Sequence, residues 1–405
     1  MDFWSFSGKG SEVLGQLESL VETEAHVPIV AALCGIGLIA VVLWEGFETI
    51  VLPRRVTRRF RLTRLFYRRT WRPWAKMVGS VVPARWQETW LSVFGPLSLL
   101  LLLTIWAGGL IAGFALLHWA AGSTVPARDG TYGFLTDLYL SGTTFFTLGL
   151  GDVAPRSTVA RFLVAIESGM GFAFLALVIG FLPALNQSFA RREVSISLLD
   201  ARAGSPPTAS EMLSRHGYER GMEALRQLLY EWERWAAEFL EGHLSYPVLA
   251  YFRSQHDNES WLAALTAILD TCALIMAGLE GACERQAELT FAMARHAVVD
   301  LCLVFRTGPR DPIHNRLPPD TLAELRSTLA TAGIKLHEGE AADLKLGKLR
   351  RMYEPYIHAL ATYFQVSIPP WIAAERRPDN WQGDIQAPRS AAMKEAHGSG
   401  KGEHF

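Results

Sequence analysis

The run Thr143-Thr144-Phe145-Phe146-Thr147-Leu148-Gly149-Leu150-Gly151-Asp152 has residue types suited to chemistry by backbone oxygens. Gly149 and Gly151 alternate with bulkier residues. Glycine takes left-handed torsions at no steric cost, so the alternation lets the carbonyls of Thr147, Leu148, Gly149 and Leu150 face one side. Carbonyls converging on one axis can replace the hydration shell of a cation. Thr147 can add a hydroxyl at the inner end of the row. Asp152 closes it with a carboxylate, expected to accept hydrogen bonds from Tyr139 and from amides of the run. As an outer charge, Asp152 can also attract cations.

These residues need a frame. Phe134 to Phe146 is long enough for a short re-entrant helix, whose C-terminal end presents the negative end of its dipole to a cation. Irregular backbone at membrane depth is tolerated only inside protein or beside a water-filled path. Two apolar stretches flank the run. One spans about Phe94 to Trp119 and carries no formal charge from Pro96 to Ala121; the other spans about Thr158 to Asn186, with Glu167 its only acid. A third apolar stretch runs from about Val27 to Leu52, and its clean part ends near Trp44, before Glu45 and Glu48. That inner end is expected to be interfacial or packed on protein. A helix needs about 20 residues to cross ~30 Å of hydrocarbon, and all three qualify. Half of the 405 residues are apolar. The mean hydropathy of +0.14 fits a membrane region joined to a sizeable soluble one.

Between the first two stretches, Arg54, Arg55, Arg58, Arg59, Arg61, Arg64, Arg68, Arg69, Arg72 and Lys76 follow one another with no acid among them. A loop this basic belongs on the cytoplasmic side, which places the N-terminus outside. Val56, Phe60, Tyr67, Trp71 and Trp74 interleave at near-helical spacing. Arg54 to Lys76 therefore reads as an amphipathic helix on anionic lipid, in preference to a solvated linker. The third span returns the chain inward at Arg191 and Arg192.

The fold class is all-α: three transmembrane helices, a re-entrant helix with its carbonyl run, and a cytosolic α-helical domain. The boundaries are 1–26 extracellular, 27–52 first span, 53–95 basic linker, 96–186 the two spans with the run, 187–378 helical domain and 379–405 tail, read as disordered. Pro206-Pro207-Thr208 with Glu211 looks like a linker ending in a capping box. Helices are expected over Tyr218 to Leu240, Trp261 to Leu279, Gln286 to Phe305, Pro319 to Ala330 and Ala341 to Phe364. Trp261 to Leu279 is apolar enough to suggest a fourth span, but Asp270 at its middle favours a core helix. Cys34, Cys272, Cys283 and Cys302 lack metal-site spacing and read as free thiols. His296 and Asp300, four apart, are a side-chain pair rather than a metal site. The acidic N-terminus does not resemble a cleaved signal peptide. No GxGxxG follows a strand, Gly398-Ser399-Gly400-Lys401 is not a phosphate loop, and no catalytic triad stands out, so the chain does not read as an enzyme. No organic cofactor is expected, nor any metal beyond a permeant ion.

Tyr139, Ser141, Thr144, Thr147, Gly149, Gly151 and Asp152 resemble the pore loop of potassium channels in type and spacing. The flanking spans resemble the outer and inner helices of the two-helix channel module, with Arg161 and Gly171 at familiar distances past Asp152. The resemblance covers about Pro96 to Asn186 and is to bacterial members with one pore loop per chain. Leu150 replaces the usual aromatic, as in one repeat of two-pore-domain channels; Phe146 replaces the first Thr of the usual pair, and Thr143 stands where some channels have Glu. The resemblance implies potassium as permeant ion and Thr147, Leu148, Gly149, Leu150, Gly151 and Asp152 as selectivity filter. It implies filter support by Tyr139, Thr143 and Thr144. Phe172, Leu175 and Ile179 would line the cavity. Gly169, Gly171 and Pro183 would be deformable points for gating, though two close glycines also suit tight helix packing. Glu167 lies about 100° from the cavity face by helical phase, which favours a hydrogen bond to a neighbouring helix. One pore loop per chain requires four chains for a fourfold ring, hence a homotetramer. The alternatives are a weakly selective monovalent cation channel and a non-conducting membrane receptor or scaffold.

Overall fold

The computed structural model describes residues 7–52, 61–122, 133–254, 259–279, 283–312 and 314–373, with backbone alone for 7–26. Arg54, Arg55, Arg58 and Arg59, the tail from Asp379 and most of the loop before the re-entrant helix lie outside these residues. Every regular element described is helical, and Leu279 and Leu336 form an isolated bridge. The α-helices are α1 (Ser7–Gly46), α2 (Leu62–Val81), α3 (Ala84–Ala120), α4 (Phe134–Phe145), α5 (Thr158–Ala203), α6 (Ala209–Ser214), α7 (Gly221–Ser245), α8 (Trp261–Gly278), α9 (Glu284–Phe305), α10 (Pro319–Thr331), α11 (Glu340–Arg351) and α12 (Glu354–Phe364). The chain divides into two compact units, one of Met1–Ala84 with Pro96–Leu185, the other of Arg85–Gly95 with Asn186–Phe405.

Among the described residues, four helical stretches are long and apolar enough to cross a membrane: Val27–Val51, Ala84–Ala120, Thr158–Ala203 and Trp261–Gly278. They differ in what covers them. Only 11 % of the apolar window is buried in the first and third, against 89 % in the fourth. An apolar surface left bare by its own chain calls for lipid or another subunit; one already covered by protein does not.

In the first unit, α1 lies against α3 through small residues. A Cβ on Gly113 would stand 2.6 Å from Ile39 Cγ1, and one on Gly35 would stand 2.7 Å from the Gly113 carbonyl. Helices in lipid gain by such close approach, because lipid supplies no hydrophobic drive between them. A π-helical turn, Phe47–Val51, ends the span. Its two acids are packed on protein, one of the two placements expected. Glu45 accepts from the amides of Leu62 (2.9 Å) and Thr63 (3.1 Å) and from the Thr63 hydroxyl (2.8 Å). A carboxylate from the preceding span thus caps α2, whose first amides have no helical partner. Glu48 accepts from Trp44 Nε1 at 2.8 Å and lies 3.7 Å from Arg61.

Of the aromatic stripe expected on α2, Val56 and Phe60 lie outside the described residues, Trp74 is half-buried, and Tyr67 and Trp71 are buried. Tyr67, Trp71, Ala75 and Val78, four or three apart, are buried in protein. Arg68, Arg69, Arg72 and Lys76 remain exposed on the opposite side.

Two helices overrun their apolar cores. α3 starts at Ala84 instead of near Phe94, and α5 continues past Asn186 to Ala203. Hydropathy marks where the lipid-facing composition ends, and a helix can continue beyond it as an amphipathic one. Accordingly Ile196, Leu199 and Ala203 are buried while Arg191, Val194 and Leu198 are exposed.

The second unit is built around α8. Asp270, the residue that argued against a span, is buried and fully engaged. It lies 2.7 Å from Arg316, and the Tyr353 hydroxyl donates to it. Arg316 also reaches Glu354 at 3.1 Å and sits over the Trp371 ring. Thr208 caps α6, accepting from the Glu211 amide at 3.3 Å, as the spacing predicted. The single helix expected over Ala341 to Phe364 is two, α11 and α12, broken at Met352 and Tyr353. Pro355 occupies the first turn of α12, where its missing amide has no helical partner to lose. The buried Arg192 donates to the carbonyls of Leu249 (2.8 Å) and Phe252 (2.7 Å). Trp235, Phe239, His243 and Trp261 form a continuous aromatic stack.

Candidate functional site

α4 is the element that aims the site. It begins after Gly133, whose φ of 144° a side chain would resist. It ends at Phe145, with Phe146 as its cap. The chain then leaves the helix in alternating torsions: Thr147 at φ 56°, Gly149 at 57° and Gly151 at 74°. Every second residue is left-handed, a backbone pattern unlike the extended one of a strand, whose successive residues face opposite sides. The glycines take this conformation freely. Thr147 does not; a β-branched residue there is a genuine outlier and stores roughly 1–3 kcal/mol of strain. Two bonds hold it: the Thr147 amide donates to the Thr144 carbonyl at 2.9 Å, and Leu148 to the Thr143 carbonyl at 2.8 Å.

Tyr139 and Asp152 meet. The phenol donates to Asp152 Oδ2 at 2.8 Å, while Oδ1 accepts from the Val153 amide at 3.0 Å. The amide partner is thus the next residue, Val153, and not one within the carbonyl run. Thr143 and Thr144 touch the run through their carbonyls. The Thr143 hydroxyl faces back into α4, 3.0 Å from the carbonyls of both Tyr139 and Leu140. The side chains of Phe146, Leu148 and Leu150 are exposed, and nothing lies within 4 Å of a Cβ placed on Gly149 or Gly151.

On α5, Phe172, Leu175 and Ile179 share one exposed side. The helix runs unbroken through Gly169, Gly171 and Pro183. Gly171 has a packing role. A Cβ there would stand 2.0 Å from the carbonyl oxygen of Phe145, at the end of α4, whereas Gly169 meets nothing within 4 Å. Phe145 is buried beneath Phe174 and within a core of Ala107 and Leu110.

Glu167 joins three helices. Its Oε2 lies 3.2 Å from His118 Nε2 on α3, and its Oε1 is hydrogen-bonded to Ser141 Oγ on α4. Ser141 Oγ is also 2.7 Å from the carbonyl of Ile111 on α3. All three side chains are fully buried. A neighbouring-helix contact for Glu167 was legible in its helical phase. His118 as the partner was not, since 49 residues separate the two; a lone histidine near the end of an apolar span was the available signal.

Residues 100–186 match the family model described as an ion channel. That segment holds the apolar part of α3, all of α4, the alternating run and α5 to Asn186. Over 193 residues the chain is 26 % identical to the uncharacterized membrane protein YdjJ of Bacillus subtilis, covering 46 % of this chain and 54 % of that protein. The chain thus spans about half the length of the curated relative it matches. No solved structure matches it. The ion channel match and the apolar helices support a membrane protein that carries an ion channel domain. Outside that domain, His296 and Asp300 lie 3.8 Å apart, the imidazole exposed and the carboxylate buried. Among the described residues, no group of three or more His, Cys, Asp or Glu side chains is placed to hold a metal.

Proposed function

We propose that the chain is a potassium-selective channel. Four copies surround one axis, and the carbonyls of Thr147, Leu148, Gly149 and Leu150 form the ion path, with Gly151 and Asp152 closing it. The alternating left-handed torsions at Thr147, Gly149 and Gly151 carry this reading, in a segment that matches the ion channel family. One chain supplies one row of carbonyls, and a cation stripped of water needs a ring of them. The exposed Phe172, Leu175 and Ile179 then face the water-filled cavity, and the exposed flanks of the apolar helices face lipid or neighbouring copies. α1, α3 and α5 are the three spans, and α8 is a core helix of the second unit. The N-terminus is outside and the second unit cytoplasmic, following the basic α2 segment. Its exposed arginines sit at anionic lipid head groups.

The second unit acts on gating because α5 leads into it, with Gly169 and Pro183 as the deformable points. A weakly selective monovalent cation channel is the second reading. It is favoured by Leu150, which offers no polar atom to brace the run from behind. Purified protein in liposomes under a potassium/sodium gradient separates them: selectivity for potassium sets the reversal potential near the potassium equilibrium value, and weak selectivity sets it near zero. No flux with correctly assembled protein would leave the membrane receptor or scaffold.

A further inference from the structure

We propose that Glu167 works as a protonated carboxyl, a positioning residue that hydrogen-bonds the pore helix to the two helices beside it. The geometry makes this a matter of counting protons. Ser141 Oγ lies within bonding distance of two oxygens, Glu167 Oε1 and the Ile111 carbonyl. A serine hydroxyl has one proton to give. If Glu167 is ionised, the single Ser141 proton can lie in only one of these two short contacts, and the other is left as two oxygens with no proton between them. If Glu167 carries a proton on Oε1, the chain closes: Glu167 donates to Ser141, and Ser141 donates to Ile111. Oε2 is then a carbonyl-type acceptor for an N–H on His118 Nε2, 3.2 Å away. Every one of these contacts then has one donor and one acceptor, and Glu167 holds no charge.

The surroundings agree. Glu167, Ser141 and His118 are all fully buried, and Ile111 belongs to an apolar core with Phe145, Leu110, Ile39 and Val42. An ion pair placed there gives up hydration that its mutual attraction does not easily replace. Among the described residues, few other titratable groups face the cluster. α4 brings Asp137, which interacts electrostatically with His118. α3 brings His118 itself, and α5 only Glu167. The neighbouring face of α1 is apolar, with Ile39 and Val42 in the shared core.

The consequence for conduction rests on the channel reading; the protonation does not. α4 ends at Phe145, so the link at Ser141 fixes the helix about one turn before its end, just ahead of the carbonyl run. Glu167→Gln is the deciding variant, since its amide can donate to Ser141 and accept from His118 as a neutral carboxyl does. Glu167→Ala and Ser141→Ala break the chain. We expect Glu167→Gln to conduct within about twofold of the parent with the same ion preference, and the other two to lose at least about tenfold. Infrared spectra of the parent at neutral pH should hold a protonated-carboxyl band that is absent from Glu167→Gln. Glu167→Gln assembling normally but conducting no better than Glu167→Ala would overturn the proposal, as would a parent spectrum without that band. If the parent itself does not conduct, the channel reading fails while the infrared test still decides the protonation.

Discussion

At the residue scale, the site depends on where a Cβ can go. Gly149 has open space around it but a φ of 57°, so Gly149→Ala adds backbone strain and no clash. A penalty of roughly 1–2 kcal/mol per chain, four times around a ring, should abolish most flux while leaving the fold intact. Normal flux with unchanged selectivity in this variant would remove Gly149 from the ion path. Gly171 is the opposite case, with an ordinary helical backbone and no space. Gly171→Ala pushes on the Phe145 carbonyl, so it should alter ion preference and lower conductance at least about tenfold, a misplacement near 1 Å being enough. A pure hinge role would change open probability alone, and single-channel recording distinguishes the two. Gly149, Gly151, Asp152 and Tyr139 were legible because each acts through its own torsions or a partner 13 residues away. The left-handed Thr147 was not, since threonine disfavours that conformation and only the bonds to Thr143 and Thr144 hold it. The Phe145 contact of Gly171 depends on helix packing that no local pattern records.

At the element scale, α8 shows why an apolar helix is not by itself a span. Asp270 and Arg316 are paired in the interior with Tyr353 and Glu354. Arg316→Ala should destabilise the helical unit by about 3–5 kcal/mol, because it leaves a buried carboxylate without its cation. The double change Asp270→Leu with Arg316→Met should cost less than that single change. Urea titration of the full chain in detergent, followed by tryptophan fluorescence, compares them; a double change that costs the sum of the two single changes would mean the pair is not coupled. His243 gives the same unit a pH response. Burial, with Arg192 nearby, pushes it down from 6.5 to about 3, so the folded state keeps the ring neutral. The unfolded chain binds a proton below pH 6.5 that the folded chain refuses. Stability is therefore full above pH 6.5 and falls as pH drops toward 3, by roughly 1.4 kcal/mol per unit. His243→Phe should flatten the slope between pH 6.5 and 5 by that amount, and an unchanged slope would contradict the assignment. The helix centres were legible from periodicity. The ends of α3 and α5 and the break before α12 were not, because hydropathy follows lipid exposure and not hydrogen bonding, although Pro355 marked the break.

At the scale of the whole molecule, the largely uncovered apolar surfaces of α1 and α5 leave room for other copies and for lipid. Native mass measurement should find four copies of the 45.0 kDa chain, and a stable dimer or trimer as the sole species would contradict the ring. Ending the chain after Ala203 removes α6 to α12 and keeps the carbonyl run. Ion preference should then be unchanged while open probability shifts; a truncated tetramer with altered preference would refute that division of labour. One measurement bears on the central claim most directly: the reversal potential of the purified chain in planar bilayers under opposed potassium and sodium gradients, beside Gly149→Ala. A reversal potential near the potassium equilibrium value, with current lost in the variant, is the predicted result. A potential near zero, or equal currents from both proteins, would contradict potassium conduction through the carbonyls of residues 147–150.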